Sequence, residues 1–464
     1  MRSAAFCVIL AGACGQSEEP RSRPLSSDGA HLRDADGRVA ILRGVNARVD
    51  GVFDVSFSDG RAALEPIPPL TGEDCRRMRE LGFDLLRLPI NWSGVEPRDG
   101  EIDDGYLSRV DAAVQCAAGA GILTLIDLHQ DAYSKEIGED GAPLWAISPP
   151  PTMLREGPLT DLGTRRISPQ VTAAFQAFFA SGDPTGLQGR FHAMLAHVAA
   201  RFAGDPAVIG FELFNEPIAG DDDLAAFQIA AADAVHRAAP AKLVFFEPPA
   251  LRNLLDFATR SATAFPVSAA VYSPHIYTFV FQPDPTRFEH ATPADLEPSV
   301  LNARMESQAW HTPLFIGEFG VGPSTDPQNE MWMQTQGQLH DRYFASDAFW
   351  LWKERSQGSW GLFDYNAASD TWTERPQMVA WVSRVHVARV AGTPAMIEST
   401  PLGDAVHLEV VAGSGTAAPH LIYVPERFAA NTRARCDRVE VPTVRNPSTG
   451  LIAIACGGAV DVGP

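Results

Sequence analysis

The sequence predicts an α/β protein, a (β/α)8 TIM barrel followed by a small antiparallel β domain. Three observations lead there. Eight short apolar runs recur before residue 390, with helical stretches between most of them. The runs are continuously apolar rather than alternating, as strands covered on both faces are. From about residue 391 the pattern changes to short alternating runs divided by turn signals. A chain of 464 residues suits a barrel of roughly 250 to 400 residues with a small appendage.

The first stretch, "MRSAAFCVILAGACGQSEEP", has Arg2 as a thin basic region and an apolar segment from Ala4 to Ala13 that is too short to span a bilayer. Residues 1–14 are expected to be a signal peptide. "LAGAC" resembles a bacterial lipobox, which would make Cys14 the lipidated first residue of an exported, outer-membrane protein. Ordinary cleavage would leave it secreted or periplasmic. Residues 15–30 are polar and read as a linker. The barrel is then assigned to 31–390 and a β-sandwich-like domain to 391–464.

The eight strand candidates are "ILRGVNA" (41–47), "LLRLPIN" (85–91), "LTLIDLH" (123–129), "VIGFELFNEP" (208–217), "LVFFEPP" (243–249), "AVYSPHIY" (270–277), "LFIGEF" (314–319) and "AFWLWKE" (348–354). Helices are predicted over 72–81, from Tyr106 onward, and over 188–203, 221–238, 294–309 and 330–345. In the second of these, Leu107, Val110, Val114 and Ala117 share one face. Residues 131–187 form a long insertion after the third strand, where loops shape substrate sites. A doubly wound sheet is the rival fold, but no GxGxxG follows the first strand. In the last domain, "AVHLEVV", "HLIYVP", "DRVEVP" and "LIAIAC" are the strand candidates.

Cys436 and Cys456 flank a hairpin and form a fair disulfide pair. Cys75 lies early in one helix and Cys116 late in the next. Parallel helices would put those thiols at opposite ends, so no bond is expected there. Net charge is -20 and the only lysines are Lys135, Lys242 and Lys353. So acidic a surface disfavours nucleic acid and anionic bilayers as partners.

Barrel strands carry chemistry at their C-terminal ends. Asn46, Asp127, His129, Asp131, Asn215, Glu216, His275, Tyr277, Glu318 and Trp350 fall there, and Arg87 lies in the second strand. Any one of them could be a cap or a satisfied core group. Glu216 and Glu318 stand apart, because the fourth and seventh strands face each other across the mouth. Two carboxyls about 5 to 5.5 Å apart cleave a glycosidic bond with retention, one as acid and one as nucleophile. A metal-binding pair is the rival reading, but no third ligand with obvious spacing accompanies the two glutamates. No cofactor or metal is expected.

"FELFNEP" and "LFIGEFG" resemble the signatures of glycoside hydrolase family 5, in the clan of retaining (β/α)8 glycosidases. The resemblance implies Glu216 as acid/base and Glu318 as nucleophile. It implies Asn215 on the sugar 2-OH, Tyr277 on the nucleophile, His275 positioning the pair and Arg87 beside Glu318. His129 would bind the sugar and Trp350 would be its platform. "DLHQDAYSKEIGEDGAPLWAISPP" is similar to the endoglycoceramidases and related glycosylceramidases of that family, which cleave between glycan and ceramide. Those enzymes carry a Lys after the first strand. "GVNARVDGVFDVSFSDG" has none, leaving Arg48 or Asp50 to serve.

The loop 131–150 is expected to present Tyr133, Ile137, Leu144, Trp145 and Ile147 as an apolar lip for ceramide, with Trp145 as a substrate residue. The expected partner is a glycosphingolipid, at a membrane or micelle surface, acted on by a monomer. The alternative is another family 5 β-glycosidase, an endo-β-glucanase or β-glucosidase. A non-enzymatic sugar-binding protein would have no use for a proton donor facing a nucleophile.

Overall fold

The structure is a computed structural model and describes residues 25–255, 265–282, 284–355 and 360–464. The expected signal peptide, Cys14 and linker residues 15–24 lie outside the described residues. The barrel strands are β1 (Arg43–Asn46), β2 (Leu85–Ile90), β3 (Leu123–Leu128), β4 (Val208–Glu212), β5 (Leu243–Phe246), β6 (Ala270–Tyr272), β7 (Phe315–Phe319) and β8 (Ser346–Phe349). All pair in parallel, in the order β7-β8-β1-β2-β3-β4-β5-β6. Bridges Tyr272 to Leu314 and Ile276 to Phe319 join β6 to β7 and close the barrel. The strands are buried along their whole lengths, which is why their sequences do not alternate.

The fourth, sixth and eighth strands end earlier than their apolar runs. After Glu212 the chain leaves the ladder and turns over the barrel mouth, and Glu216 takes a left-handed φ of 40°. Asn215 and Glu216 therefore stand on the connection above β4 rather than on the strand itself. His275 and Tyr277 stand likewise above β6, and Trp350 directly after β8.

The linker assignment is corrected at its end. Leu25 is buried and Ser26–Ser27 pairs antiparallel with Leu32–Arg33. Leu25, Leu32, Ala40 and Leu42 pack with Leu85, Leu123, Leu243 and Phe315 at the barrel floor. Burying these side chains fixes a segment whose overall composition reads as polar tether. The second domain is a sandwich, but it draws strands from both ends of the chain. One sheet joins the N-terminal strands to His386–Val390, His420–Tyr423 and Leu451–Ile454. The other contains Pro394–Ser399, Val406–Val410, Val460–Gly463, Arg433–Cys436 and Val439–Val441. Val39, Ile41, Val387, Leu408, Ile422 and Val460 lie in their shared core.

Cys436–Cys456 are bonded as expected. Cys75–Cys116 are bonded too, against expectation, with Cα atoms 6.1 Å apart. The helix carrying Cys75, Gly72–Glu80, is far shorter than Asp104–Gly119. Both helices run down to the floor, and each cysteine lies within two turns of its helix C-terminus. Measured from that end the two sulfurs are nearly level, whereas from the N-termini the cysteines stand at very different depths.

Candidate active site

Arg87 on β2 is the centre of the site. It is fully buried. Its Nη1 donates to Glu318 at 2.8 Å and to Asn46 at 2.9 Å, and its Nη2 donates to Asn215 at 2.8 Å. Nη2 also lies 3.0 Å from Asp127, and Nε donates to Glu212. Burial disfavours its charge, but Asp127, Glu212 and Glu318 outweigh that and keep it ionised.

Glu318 accepts from Arg87 on one oxygen and from the Tyr277 hydroxyl, at 2.8 Å, on the other. His275 Nδ1 lies 3.0 Å from Glu216 Oε1 and 3.5 Å from Glu318 Oε2, between the two carboxylates. One oxygen of each glutamate and a nitrogen of His275 all lie within 4.8 Å of one another. The Glu216 amide donates to Glu247, and Gln130 Nε2 donates to the carbonyls of Asn215 and Glu216. These bonds hold the strained turn that aims Glu216 at the mouth. Gly317 precedes the nucleophile candidate because a Cβ there would stand 2.9 Å from His275 Nε2 and 2.8 Å from Ser273 Oγ.

The electrostatics follow from one guanidinium facing several buried carboxylates. Burial raises Glu318, against the pull of His275 and Arg87. Burial raises Asp127 to about 6, opposed by Arg87. Glu247 is raised well above its usual range by burial and by Glu212. Burial works to raise Glu216 as well, but the hydrogen bond and charge of His275 outweigh it and hold the group at about 2. Burial opposes charge on His275, yet Glu318 and Glu216 push its pKa up. The proton of the Glu216–His275 pair thus sits on the imidazole.

The His129 Nδ1–H donates to Asp127 at 2.6 Å, and the imidazole stacks on the Trp350 ring at 5.7 Å. Burial, reinforced by Arg87, lowers it to about 4, so it is neutral. Asp131 pairs with Arg166 at 2.6 Å. A pocket of about 120 Å³ opens over these groups. It is lined by His129, Asp131, Asn215, Glu216, Tyr277, Glu318 and Trp350, with Arg48, Glu139, Arg166, Phe281, Glu354 and Trp360.

Trp145 does not line this pocket. Its ring packs edge-on against Trp92 at 5.2 Å and its indole N–H donates to the Glu96 carbonyl. Tyr133, Ile137 and Ile147 are buried, so the expected apolar lip is mostly loop packing against the barrel. Asp50 is not among the pocket residues. Arg48 is, bound to Glu65 and Glu354. Sequence reasoning missed Glu212 and Glu247, which hold Arg87 and the Glu216 turn. Their signal was a carboxylate interrupting an apolar strand in "GFEL" and "FFEPP". It also found no third donor near the two glutamates, whereas His275 stands between them. Among the described residues, His129, Asp131 and Asp140 form another donor cluster. One oxygen of Asp140 accepts from Asn91, and Asp131 pairs with Arg166.

A closed parallel barrel with two facing carboxylates at its mouth defines a class, the (β/α)8 hydrolases that work by paired acids. The sequence profile of Cellulase (glycosyl hydrolase family 5) matches residues 53–356, and the chain belongs to that family. It is 30% identical over 332 residues to Endoglycoceramidase I of Rhodococcus hoagii (strain 103S). That alignment spans 66% of this chain and 64% of the relative, less than two thirds of its length. A crystal structure of endogalactoceramidase superposes with a TM-score of 0.78 and 26% identity, covering 95% of this chain and 99% of the other. The lactosyl-enzyme intermediate of endo-glycoceramidase II from Rhodococcus sp. superposes with a TM-score of 0.74 and 25% identity, covering 94% and 99%.

Proposed function

We propose that the protein is a retaining glycosidase that cleaves the β-glycosidic bond between the glycan and the ceramide of a glycosphingolipid. The observation that carries the reaction type is the close approach of Glu216 and Glu318, one oxygen of each lying within 4.8 Å of the other, as suits the short carboxyl separation of a retaining pair. The likeness to endoglycoceramidases over nearly the whole chain supports the substrate class.

In this reading Glu318 attacks the anomeric carbon, and its two oxygens are held ionised by Arg87 and Tyr277. Glu216 protonates the departing ceramide oxygen. A glycosyl ester forms on Glu318, and a water activated by Glu216 then hydrolyses it. The proton for the first step comes from the shared pair. Transfer from His275 Nδ1 to Glu216 Oε1 leaves a neutral imidazole. Its Nδ1 then accepts from Glu216, and its Nε2–H faces Glu247 Oε1 at 3.4 Å. Asn215 and His129 border the sugar position, and Trp350 offers a ring face to it.

The pH dependence follows with a definite sign. Activity needs Glu318 ionised, and burial lifts its pKa above 4.5; kcat/KM therefore falls as pH drops through that raised value. Activity also needs one proton on the Glu216–His275 pair, whose imidazole is raised above 6.5; kcat/KM falls as pH rises past it. The profile of kcat/KM against pH is expected to be a bell with its acid limb above 4.5 and its alkaline limb above 6.5. A flat profile through both limbs would remove the shared proton from the mechanism.

The substrate class is tested by comparing a glycosylceramide in detergent with a soluble alkyl glycoside of the same sugar. The glycosylceramide is expected to have the larger kcat/KM. Equal values would favour the endo-β-glucanase or β-glucosidase alternative.

Export completes the reading. The two disulfides and the "LAGAC" stretch support an exported protein, lipidated at Cys14. Acyl chains contribute about 0.8 kcal/mol per buried CH2 to membrane binding. Cys14→Ser is expected to move the protein from the membrane fraction to the soluble one. Unchanged fractionation would rule out the lipid anchor.

A further inference from the structure

The two poles of the barrel differ in their apolar exposure. The floor is covered by Leu25, Leu32 and Leu42, and the sandwich packs beside it. At the mouth, the described loops carry large apolar side chains into solvent. Ile167 is 79% exposed, Leu251 63% and Phe281 50%, with Met153, Leu154 and Ile218 also exposed. These residues come from the connections after four successive strands, β3, β4, β5 and β6.

They also attach directly to the site. Ile167 follows Arg166, which lines the pocket, and Ile218 stands two residues after Glu216. The Ala250 amide donates to the Pro217 carbonyl at 2.8 Å, which ties the turn bearing Ile218 to the helix bearing Leu251. Gln170 holds the Met153 carbonyl at 3.0 Å, beside the helix start that follows Ile167. Phe281 is itself a pocket wall, stacked on Trp360 at 5.6 Å and packed on Tyr277 at 4.9 Å. Apolar side chains scattered singly over a surface need no explanation. A ring of them around one opening does.

We propose that this rim is a membrane-docking surface that seats the barrel mouth on a zwitterionic lipid bilayer. The idea rests on the ceramide reading of the site, because a ceramide is anchored in a bilayer by its hydrocarbon chains and must be reached at that surface. Apolar loop side chains enter the boundary between headgroups and acyl chains, and a charge of -20 is repelled by anionic lipid. The bilayer that suits this chain is therefore neutral overall.

The test uses the full chain carrying Cys14→Ser and Glu318→Gln, so that neither an acyl anchor nor turnover contributes. Phosphatidylcholine vesicles without glycolipid are floated with the protein. The parent is expected to float with the vesicles, and replacing part of the phosphatidylcholine by phosphatidylserine is expected to weaken binding. Ile167→Asp with Leu251→Asp is expected to weaken it at least tenfold. Leu301→Asp with Met305→Asp, exposed on a helix at the side of the barrel, is expected to leave it unchanged.

In the active protein, the rim pair should raise KM for a glycosylceramide in vesicles while leaving kcat/KM for a soluble aryl glycoside unchanged. A parent that does not float, or two double variants that bind alike, would overturn the docking surface. So would sedimentation showing that the rim pair alters only self-association. A protein that floats but does not cleave glycosylceramide would instead overturn the substrate reading.

Discussion

Glu216→Gln and Glu318→Gln are each expected to lose nearly all turnover while the protein stays folded. The expected loss at Glu216 is about 100- to 10,000-fold, the usual contribution of a positioned general acid. At Glu318 the loss should be at least as large, because no ester can form without the carboxylate. Gln keeps the shape of each side chain; at 318 its carbonyl oxygen can still accept from Arg87 while its amide N–H donates to the Tyr277 hydroxyl oxygen, and at 216 it can meet His275. Neither substitution opens a cavity, so unfolding midpoints should change little. The measurement is kcat/KM on an alkyl glycoside, whose basic leaving oxygen needs the proton, alongside a urea unfolding curve. A Glu216→Gln protein that retained a third of its activity would remove it from the acid role.

Arg87→Met is expected to have the largest effect on stability of any single change in the site. Arg87 is a cation in contact with four carboxylates, Asp127, Glu212, Glu247 and Glu318, all of them buried. Removing one partner of a buried ion pair costs about 3–5 kcal/mol, because the remaining charges lose their compensation. Some of that cost is relieved by proton uptake, since Asp127, Glu247 and Glu318 already have raised pKa values. The variant should therefore be least destabilised at acid pH, where those carboxyls are neutral, and most destabilised near neutrality. Denaturant unfolding at two pH values checks this. A loss under about 1 kcal/mol at pH 7 would mean that the carboxylates find other partners.

Much of this site was legible in the sequence because barrel topology converts position along a strand into position in space. Glu216 and Glu318 could be paired without coordinates, since the fourth and seventh strands of a closed barrel face each other. The placing of Arg87 and of the Tyr277 hydroxyl beside Glu318 followed from the family resemblance, and each lies 2.8 Å from that carboxylate. What remained illegible depended on geometry that no local pattern encodes. Glu212 and Glu247 look like strand residues, and only closure of the barrel brings them to Arg87 and to the Glu216 turn.

The disulfide between Cys75 and Cys116 was hidden by the unequal lengths of two helices. The N-terminal hairpin was hidden by its polar composition, since four apolar side chains suffice to plug the barrel floor. Trp145 misled because an aromatic residue in a substrate loop packs the loop as readily as it meets a ligand. Phe281 and Trp360, which do wall the pocket, lie in stretches with no distinctive spacing.

The central claim is that Glu318 carries the sugar and Glu216 moves the proton. Azide rescue of the two alanine variants tests it most directly, read as the anomer of the glycosyl azide by proton NMR. With Glu216→Ala the sugar still forms its ester on Glu318, and azide displaces it to give the β-glycosyl azide. With Glu318→Ala azide attacks the substrate from the vacated face and gives the α-glycosyl azide. The same anomer from both variants, or the two anomers exchanged, would contradict the assignment.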